Sequence, residues 1–136
     1  MDARGPTEPP STGRASILIV DDDADIRETL AELLGDRGYD VLTAADGAAG
    51  LQLLRCSAVP PRLILLDLMM PVLDGYGFLR EQRADPRLAG VPVAVITAGH
   101  AVDRARLGEQ VPVIAKPFNL STLMTTVEDH ARGTAP

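Results

Sequence analysis

Short apolar runs alternate with amphipathic segments along most of the chain. The runs are apolar at consecutive positions and rich in aliphatic and β-branched residues, which is typical of strands covered on both faces of a parallel sheet. Five runs have this character: Ile17-Leu18-Ile19-Val20, Val41-Leu42-Thr43, Leu63-Ile64-Leu65-Leu66, Val93-Ala94-Val95-Ile96 and Val111-Pro112-Val113-Ile114. The pattern therefore predicts five strands.

The segment after the first run has the clearest helical pattern. Its apolar residues recur at a spacing that places them on one face of a helix: Ile26, Leu30, Leu33 and Leu34. Asp23 or Asp25 is the expected N-cap, because a short acidic side chain accepts hydrogen bonds from the first backbone amides of a helix. Gly35 and Gly38 are expected to close this helix.

A helix is also predicted after each of the other runs. These helices are expected over 47–56, after Gly75 and before Asp85-Pro86, over 101–107, and behind a cap at Asn119 or Ser121. Strand–helix units in succession, without hairpins, predict right-handed crossovers and a parallel sheet. The predicted fold class is α/β, a doubly wound five-stranded parallel sheet with helices on both faces. Ligands of such folds bind beyond the carboxyl ends of the strands.

Length and composition limit the class of protein. A chain of 136 residues, 46% of them hydrophobic, is long enough for one domain with its own core. Residues 1–15 are rich in Pro, Gly, Ser and Thr and are predicted to be a disordered leader, with the domain over 16–131 and a disordered tail over 132–136. The single Cys56 excludes a disulfide within the chain.

Charge and hydropathy limit the kinds of partner and the cellular compartment that we expect. The net charge of −6 and the pI near 4.8 argue against direct DNA binding, since phosphate contacts need clustered Lys and Arg. No apolar stretch is long enough to span a bilayer, and the first residues lack the apolar segment of a signal peptide. We therefore expect a cytoplasmic protein that does not bind membranes.

The predicted carboxyl ends of the strands carry unusual polar residues. Asp21-Asp22-Asp23 follows the first run, Asp67 the third, Thr97 the fourth and Lys116 the fifth. Taken singly, each feature has a more ordinary interpretation. An acidic run is more typical of a solvated helix cap, Thr97 would be a hydroxyl at the end of a strand, and Lys116 would be a surface charge. These ordinary interpretations explain poorly why all of these polar residues fall at one edge of the predicted sheet. Lys116 is also the only lysine beside 12 arginines, which weakly favours a position that needs a compact point charge.

These residue types point to phosphoryl chemistry at a divalent cation. Asp21, Asp22 and Asp67 would repel one another, and an all-oxygen ligand set with few protein groups favours Mg²⁺ as the ion that relieves the repulsion. A carboxylate that attacks phosphorus forms an aspartyl phosphate. Thr97 could then hydrogen-bond one phosphoryl oxygen, and Lys116 could neutralise another.

Four segments form a set that is specific in order and spacing. They are Ile17-Leu18-Ile19-Val20-Asp21-Asp22, Asp67-Leu68-Met69-Met70-Pro71-Val72-Leu73-Asp74-Gly75, Val95-Ile96-Thr97-Ala98 and Lys116-Pro117-Phe118. With these segments, the chain resembles the receiver domain of bacterial two-component response regulators over about residues 15–131. The resemblance implies a flavodoxin-like fold and phosphorylation of Asp67 by a histidine kinase or a phosphotransfer protein.

The resemblance also implies roles for the neighbouring residues. Mg²⁺ would be bound by Asp22, Asp67 and the backbone carbonyl of Met69, with Asp21 helping through water. The Lys116-Pro117 peptide bond would be cis and would aim the lysine at the phosphoryl group.

Two features depart from the family pattern. Receivers often carry Tyr or Phe three residues before the lysine, where this chain has Val113. The stretch from Thr97 to Lys116 is shorter than expected by about one helical turn, roughly four residues, and the loss falls on the fourth helix. Both features lie on the expected output surface.

The leading hypothesis is a stand-alone phosphorylation switch that catalyses only its own phosphorylation and dephosphorylation. Too few residues follow the last helix for an output module, so the signal would leave through a protein that binds around Val113 and the last helix. The alternative is a phosphorylation-independent binding module with the same fold. Another enzyme is not expected, because Met69 stands where phosphatases with an Asp nucleophile commonly place a second acid. Gly75-Tyr76-Gly77 also lacks the third glycine of a dinucleotide site.

Overall fold

A computed structural model describes residues 15–98 and 102–131, in which five strands and five helices alternate. The predicted tail and all of the predicted leader except Ala15 lie outside the described residues. The strands are β1 (Ser16–Val20), β2 (Asp40–Ala44), β3 (Leu63–Leu66), β4 (Val93–Thr97) and β5 (Val113–Ala115). The helices are α1 (Ala24–Asp36), α2 (Gly47–Cys56), α3 (Gly75–Ala84), α4 (Arg104–Leu107) and α5 (Leu120–Ala131).

The five strands form one parallel sheet in the order β2-β1-β3-β4-β5. This arrangement confirms the predicted fold class. The register places Val20 opposite Leu66, and Leu66 opposite Val95. The residues that follow the strands therefore meet at one edge of the sheet.

Helices cover both faces of the sheet. Leu18 and Val20 of β1 belong to the apolar cluster under α2, α3 and α4, whereas Ile17 and Ile19 belong to the cluster under α1 and α5. This alternation follows from the strand, in which successive side chains point to opposite faces. Two covered faces also explain why the strands are apolar at consecutive positions.

Capping side chains set where α1 and α5 begin. The carboxylate of Asp23 accepts hydrogen bonds from the amides of Asp25 and Ile26, so Asp23 is the N-cap of α1. At α5, Asn119 Oδ1 accepts from the amide of Thr122 at 3.2 Å, and Asn119 is therefore the cap rather than Ser121.

The largest differences from the predicted bounds are at β5, at the end of α1 and at α4. β5 begins at Val113 rather than Val111, because Pro112 has no N–H to donate to a neighbouring strand. Gly35 lies inside α1, and Gly38 with a φ of 95° makes the turn that follows the helix. α4 covers only Arg104–Leu107 of the predicted 101–107, of which residue 101 lies outside the described part of the chain.

Candidate functional site

Backbone hydrogen bonds continue beyond the ends of the strands and place the candidate residues. The N–H of Asp67 donates to the carbonyl of Val20 at 2.9 Å, and the N–H of Lys116 donates to the carbonyl of Thr97 at 3.0 Å. The N–H of Asp21 likewise donates to the carbonyl of Ala44 at 3.1 Å. In one parallel sheet, Asp21, Asp67, Thr97 and Lys116 therefore lie at the same edge, as the sequence predicts. The Lys116-Pro117 peptide bond is cis, as the resemblance implies.

Three carboxylates form the centre of the site. One oxygen atom from each of Asp21, Asp22 and Asp67 lies within 4.8 Å of the others. Asp21 and Asp67 are buried, with 2% and 5% of their surface exposed, whereas Asp22 is exposed to solvent. Strand periodicity alone would send Asp21 and Asp22 to opposite faces. Both reach the site because the chain leaves β1 at this point and turns into α1.

Lys116 connects two of the carboxylates. Its Nζ atom lies 2.9 Å from Oδ2 of Asp21 and 3.4 Å from Oδ2 of Asp67. The lysine side chain is 17% exposed, so the ammonium lies in a largely desolvated position. One cation therefore offsets the repulsion between two buried acids.

The loop after β3, residues 67–74, and the first residue of α3 surround the candidate acceptor. The N–H of Met69 donates to Oδ1 of Asp67 at 3.1 Å, which places the Met69 backbone beside the carboxylate. The N–H of Gly75 donates to the carbonyl of Leu68 at 3.0 Å. A Cβ atom at Gly75 would lie 2.7 Å from the carbonyl oxygen of Asp67, so only glycine fits this approach.

The surroundings shift the pKa values of two groups. Burial raises the pKa of Asp67 above its ordinary value, against the Met69 hydrogen bond that lowers it, and the charge of Asp21 raises it further. For Lys116, burial lowers the pKa, but the hydrogen bond and charge of Asp21, together with those of Asp67, raise it above its ordinary value. The site therefore holds its lysine as a cation and one of its acids with a raised proton affinity.

Arg27 is a residue of the site that the sequence analysis missed. Its Nη1 atom donates to the backbone carbonyl of Asp21 at 2.8 Å. The signal was present in the sequence, because Arg27 lies four residues after Asp23 and so on the same face of α1 as the cap. Arg27 stabilises the turn that carries Asp21 and Asp22.

The donor set fits a small hard cation. The site offers three carboxylate oxygens close to one another, and Mg²⁺ binds oxygen ligands while it keeps several waters. The exposed Asp22 leaves one side of the cluster open to solvent. Residues Asp21, Asp22 and Asp67 are therefore a cluster that could bind a metal ion.

The comparisons with known proteins identify the family. A family model described as the response regulator receiver domain matches residues 17–128. The chain belongs to this family. The receiver domain is the part of a response regulator that takes part in phosphorylation-based two-component signalling.

Similar proteins and solved structures agree with this assignment. The receiver domain is 36% identical to the DNA-binding response regulator MtrA of Mycobacterium bovis, over 89% of this chain and 52% of that protein. It is 37% identical to the probable transcriptional regulator ycf27 of Porphyridium aerugineum, over 88% of this chain and 49% of that protein. The structure of Vibrio cholerae chemotaxis protein CheY4 superposes with a TM-score of 0.77 and 30% identity, covering 87% of this chain and 99% of that one.

The receiver domain spans about half the length of the curated relatives it matches. The names of these relatives describe transcriptional regulators, so they do not bear out the predicted absence of DNA binding. In the part of the chain that the structure describes, no helix is both long and apolar enough to cross a membrane.

Proposed function

We propose that Asp67 accepts a phosphoryl group, in a Mg²⁺-dependent reaction, from a histidine kinase or a histidine phosphotransfer protein. The observation that carries this proposal is the position of Asp67 within 4.8 Å of two further carboxylates and 3.4 Å from Lys116. A structural acid at a strand end needs neither arrangement.

The reaction is a transfer between two side chains. A carboxylate oxygen of Asp67 attacks the phosphorus atom of a phosphohistidine on the donor protein. The bond between phosphorus and the imidazole nitrogen breaks, its electron pair stays on that nitrogen, and an acyl phosphate forms on Asp67. The attacking group is the carboxylate form of Asp67, which the charge of Lys116 favours.

Neighbouring groups stabilise the transferred charge. Asp21, Asp22, Asp67 and the Met69 carbonyl would hold Mg²⁺, which supplies positive charge for the phosphoryl oxygens when it is bound. Lys116 is placed to neutralise one phosphoryl oxygen, and the Thr97 hydroxyl to donate a hydrogen bond to another. Lys116 follows β5 and contacts Asp67, and Thr97 ends β4 at the same edge of the sheet.

Phosphorylation then acts as a switch on a protein-binding surface. The added charge draws Thr97 and Lys116 toward Asp67 and biases the surface formed by α4, β5 around Val113, and α5. The domain would catalyse only the formation and hydrolysis of its own acyl phosphate. For the receiver domain itself, we expect the output partner to be a protein rather than DNA.

Intact mass after incubation with acetyl phosphate tests the proposal. We expect one phosphoryl adduct that depends on Mg²⁺ and is absent from Asp67→Asn. Asp36→Asn is the matched control, because Asp36 is an exposed acid at the far end of α1 and should not change the adduct. An adduct on Asp67→Asn would show that another residue is the acceptor. If acetyl phosphate gives no adduct, uptake of beryllofluoride with Mg²⁺ separates a need for the cognate kinase from a phosphorylation-independent binding module.

A further inference from the structure

Side chains of α3 hold α4 in place. α4 is a single turn, and Leu107 is its buried residue. A helix of this length is not stable by itself. Arg83 of α3 donates to the carbonyl of Arg106 at 2.9 Å and also to the carbonyl of Leu107, so the end of the turn is bound to the neighbouring helix.

Tyr76, in the first turn of α3, contacts the beginning of α4. Its hydroxyl oxygen accepts a hydrogen bond from the backbone N–H of Asp103 at 2.8 Å. Its ring lies against the guanidinium of Arg106, whose Cζ atom is 4.3 Å from the ring centroid. Asp103 is the N-cap of α4. One phenol side chain therefore fixes both the cap and a side chain of the turn.

Tyr76 is also joined to the loop that carries Asp67. It follows Gly75, whose N–H donates to the carbonyl of Leu68 and whose Cα has no room for a side chain against Asp67 and Leu68. A shift of the backbone at Asp67 and Leu68 must therefore move Gly75, because closely packed groups cannot absorb it. Tyr76 is the next residue and would move with it.

We propose that Tyr76 is a positioning residue that connects α4 to the loop after β3. Phosphorylation of Asp67 then changes the contacts of Tyr76 with Asp103 and Arg106. The change on phosphorylation rests on the proposed function, whereas the stabilisation of α4 by Tyr76 does not. The hydroxyl and the ring make separate contacts, a hydrogen bond and a cation–π interaction, so variants can remove them one at a time.

Amide hydrogen exchange measured by NMR on the full chain tests the hold on α4. Tyr76→Phe removes the hydroxyl but keeps the ring, so exchange of the Asp103 amide is expected to rise about fivefold. Tyr76→Leu removes both contacts, and exchange over residues 103–108 is expected to rise by about the same factor or more. Tyr39→Phe, which deletes a phenol hydroxyl on the other side of the sheet, should leave these amides unchanged. Unchanged exchange in Tyr76→Leu would overturn the proposal.

The same measurement with beryllofluoride and Mg²⁺, which mimic the phosphoryl group, tests the coupling. We expect the mimic to change exchange over residues 103–108 in the unmodified protein and not in Tyr76→Leu. Both proteins should form the same adduct with acetyl phosphate. If Tyr76→Leu loosens α4 but still responds to the mimic as the unmodified protein does, Tyr76 only stabilises the fold and the coupling is wrong. If the unmodified protein forms no adduct and does not respond, the proposed function fails. The experiment without the mimic then still decides the hold on α4.

Discussion

The Nζ atom of Lys116 lies 2.9 Å from Oδ2 of Asp21, although the two residues are 95 positions apart in the sequence. Their side chains are 17% and 3% exposed. The ion pair joins the ends of β5 and β1, which are not adjacent in the sheet, and so depends on the complete strand order. The same ammonium reaches Asp67, and one cation serves two buried acids.

Lys116→Gln is expected to lower the free energy of unfolding by about 2 kcal/mol at pH 7.5, because two buried carboxylates lose their cation. Urea unfolding measures the change. The raised pKa of Lys116 means that its contribution is complete below the ordinary lysine pKa and is lost as the pH rises through the folded-state value. The part of the loss in Lys116→Gln that comes from Asp67 should shrink at acidic pH, where Asp67 takes up the proton that burial favours.

Lys116→Arg tests whether the site requires a compact charge. The planar guanidinium is wider than an ammonium and cannot approach Asp21 and Asp67 in the same way, so we expect it to restore less than about half of the stability lost in Lys116→Gln. Full restoration in the same urea experiment would show that any cation suffices there.

Asp67→Asn is expected to stabilise the protein at pH 7.5 in the absence of divalent cations. Burial raises the pKa of Asp67, so the folded state binds this proton more tightly than the unfolded state does. Stability therefore falls as the pH rises from the unfolded value near 3.8 through the folded-state pKa. The variant avoids this loss, so its free energy of unfolding is expected to exceed that of the unmodified protein above that interval and to equal it below. A gain that does not change with pH would contradict this cause.

Mg²⁺ is expected to stabilise the unmodified protein and to have a smaller effect on Asp22→Asn. Binding to the folded state alone adds about 1.4 kcal/mol when the free ion is ten times its dissociation constant. Asp22 is exposed, so its substitution removes a ligand without disturbing the core. Thermal unfolding with Mg²⁺ and with a chelator measures the effect, and Asp36→Asn is the control that keeps the full response. An equal response in Asp22→Asn would exclude Asp22 from the metal site.

Gly75→Ala and Gly35→Ala form a matched pair. At Gly75 the added Cβ would lie 2.7 Å from the Asp67 carbonyl oxygen and from Leu68 Cα, so we expect a loss of about 2 kcal/mol and a displaced acceptor loop. At Gly35, inside α1, nothing lies within 4 Å, and we expect a gain of about 0.5–1 kcal/mol. Denaturant unfolding measures both changes. Tolerance of alanine at Gly75 would contradict the close approach.

Val72 has an unusual backbone for a β-branched residue. Its φ is 71° and its side chain is 81% exposed, so the conformation costs energy without burying apolar surface. Val72→Gly is expected to raise the free energy of unfolding by about 1 kcal/mol. Val59→Gly, at a similarly exposed valine without positive φ, should give no gain in the same experiment. A gain at both positions would mean that strain at Val72 is not the reason.

The sequence predicted the sheet well because its signal is local. The four apolar residues Leu63–Leu66 lie in a strand covered on both faces, and the structure has β3 over those residues. The bounds of α2 and α3 also follow from local chemistry, in which Asp46 and Asp74 cap the first turns. α4 was harder to predict, since its position depends on side chains of α3 that lie more than 20 residues earlier in the chain.

The candidate site was predicted in part. The order of polar residues at the strand ends brought Asp21, Asp67, Thr97 and Lys116 together, and the parallel topology places them at one edge. The choice of Asp21 as the nearer partner of Lys116 depends on a difference of about half an ångström, which the sequence does not encode in any local pattern. The roles of these residues in phosphorylation remain predictions.

The most direct test of the account is to locate the phosphoryl group. The protein is incubated with acetyl phosphate and Mg²⁺ and then treated with borohydride, which reduces an aspartyl phosphate to homoserine. Fragment masses then show which position has changed. We predict homoserine at position 67 and unmodified aspartate at positions 21 and 22. Homoserine at position 21 or 22, with Asp67 intact, would contradict the assignment of Asp67 as the acceptor.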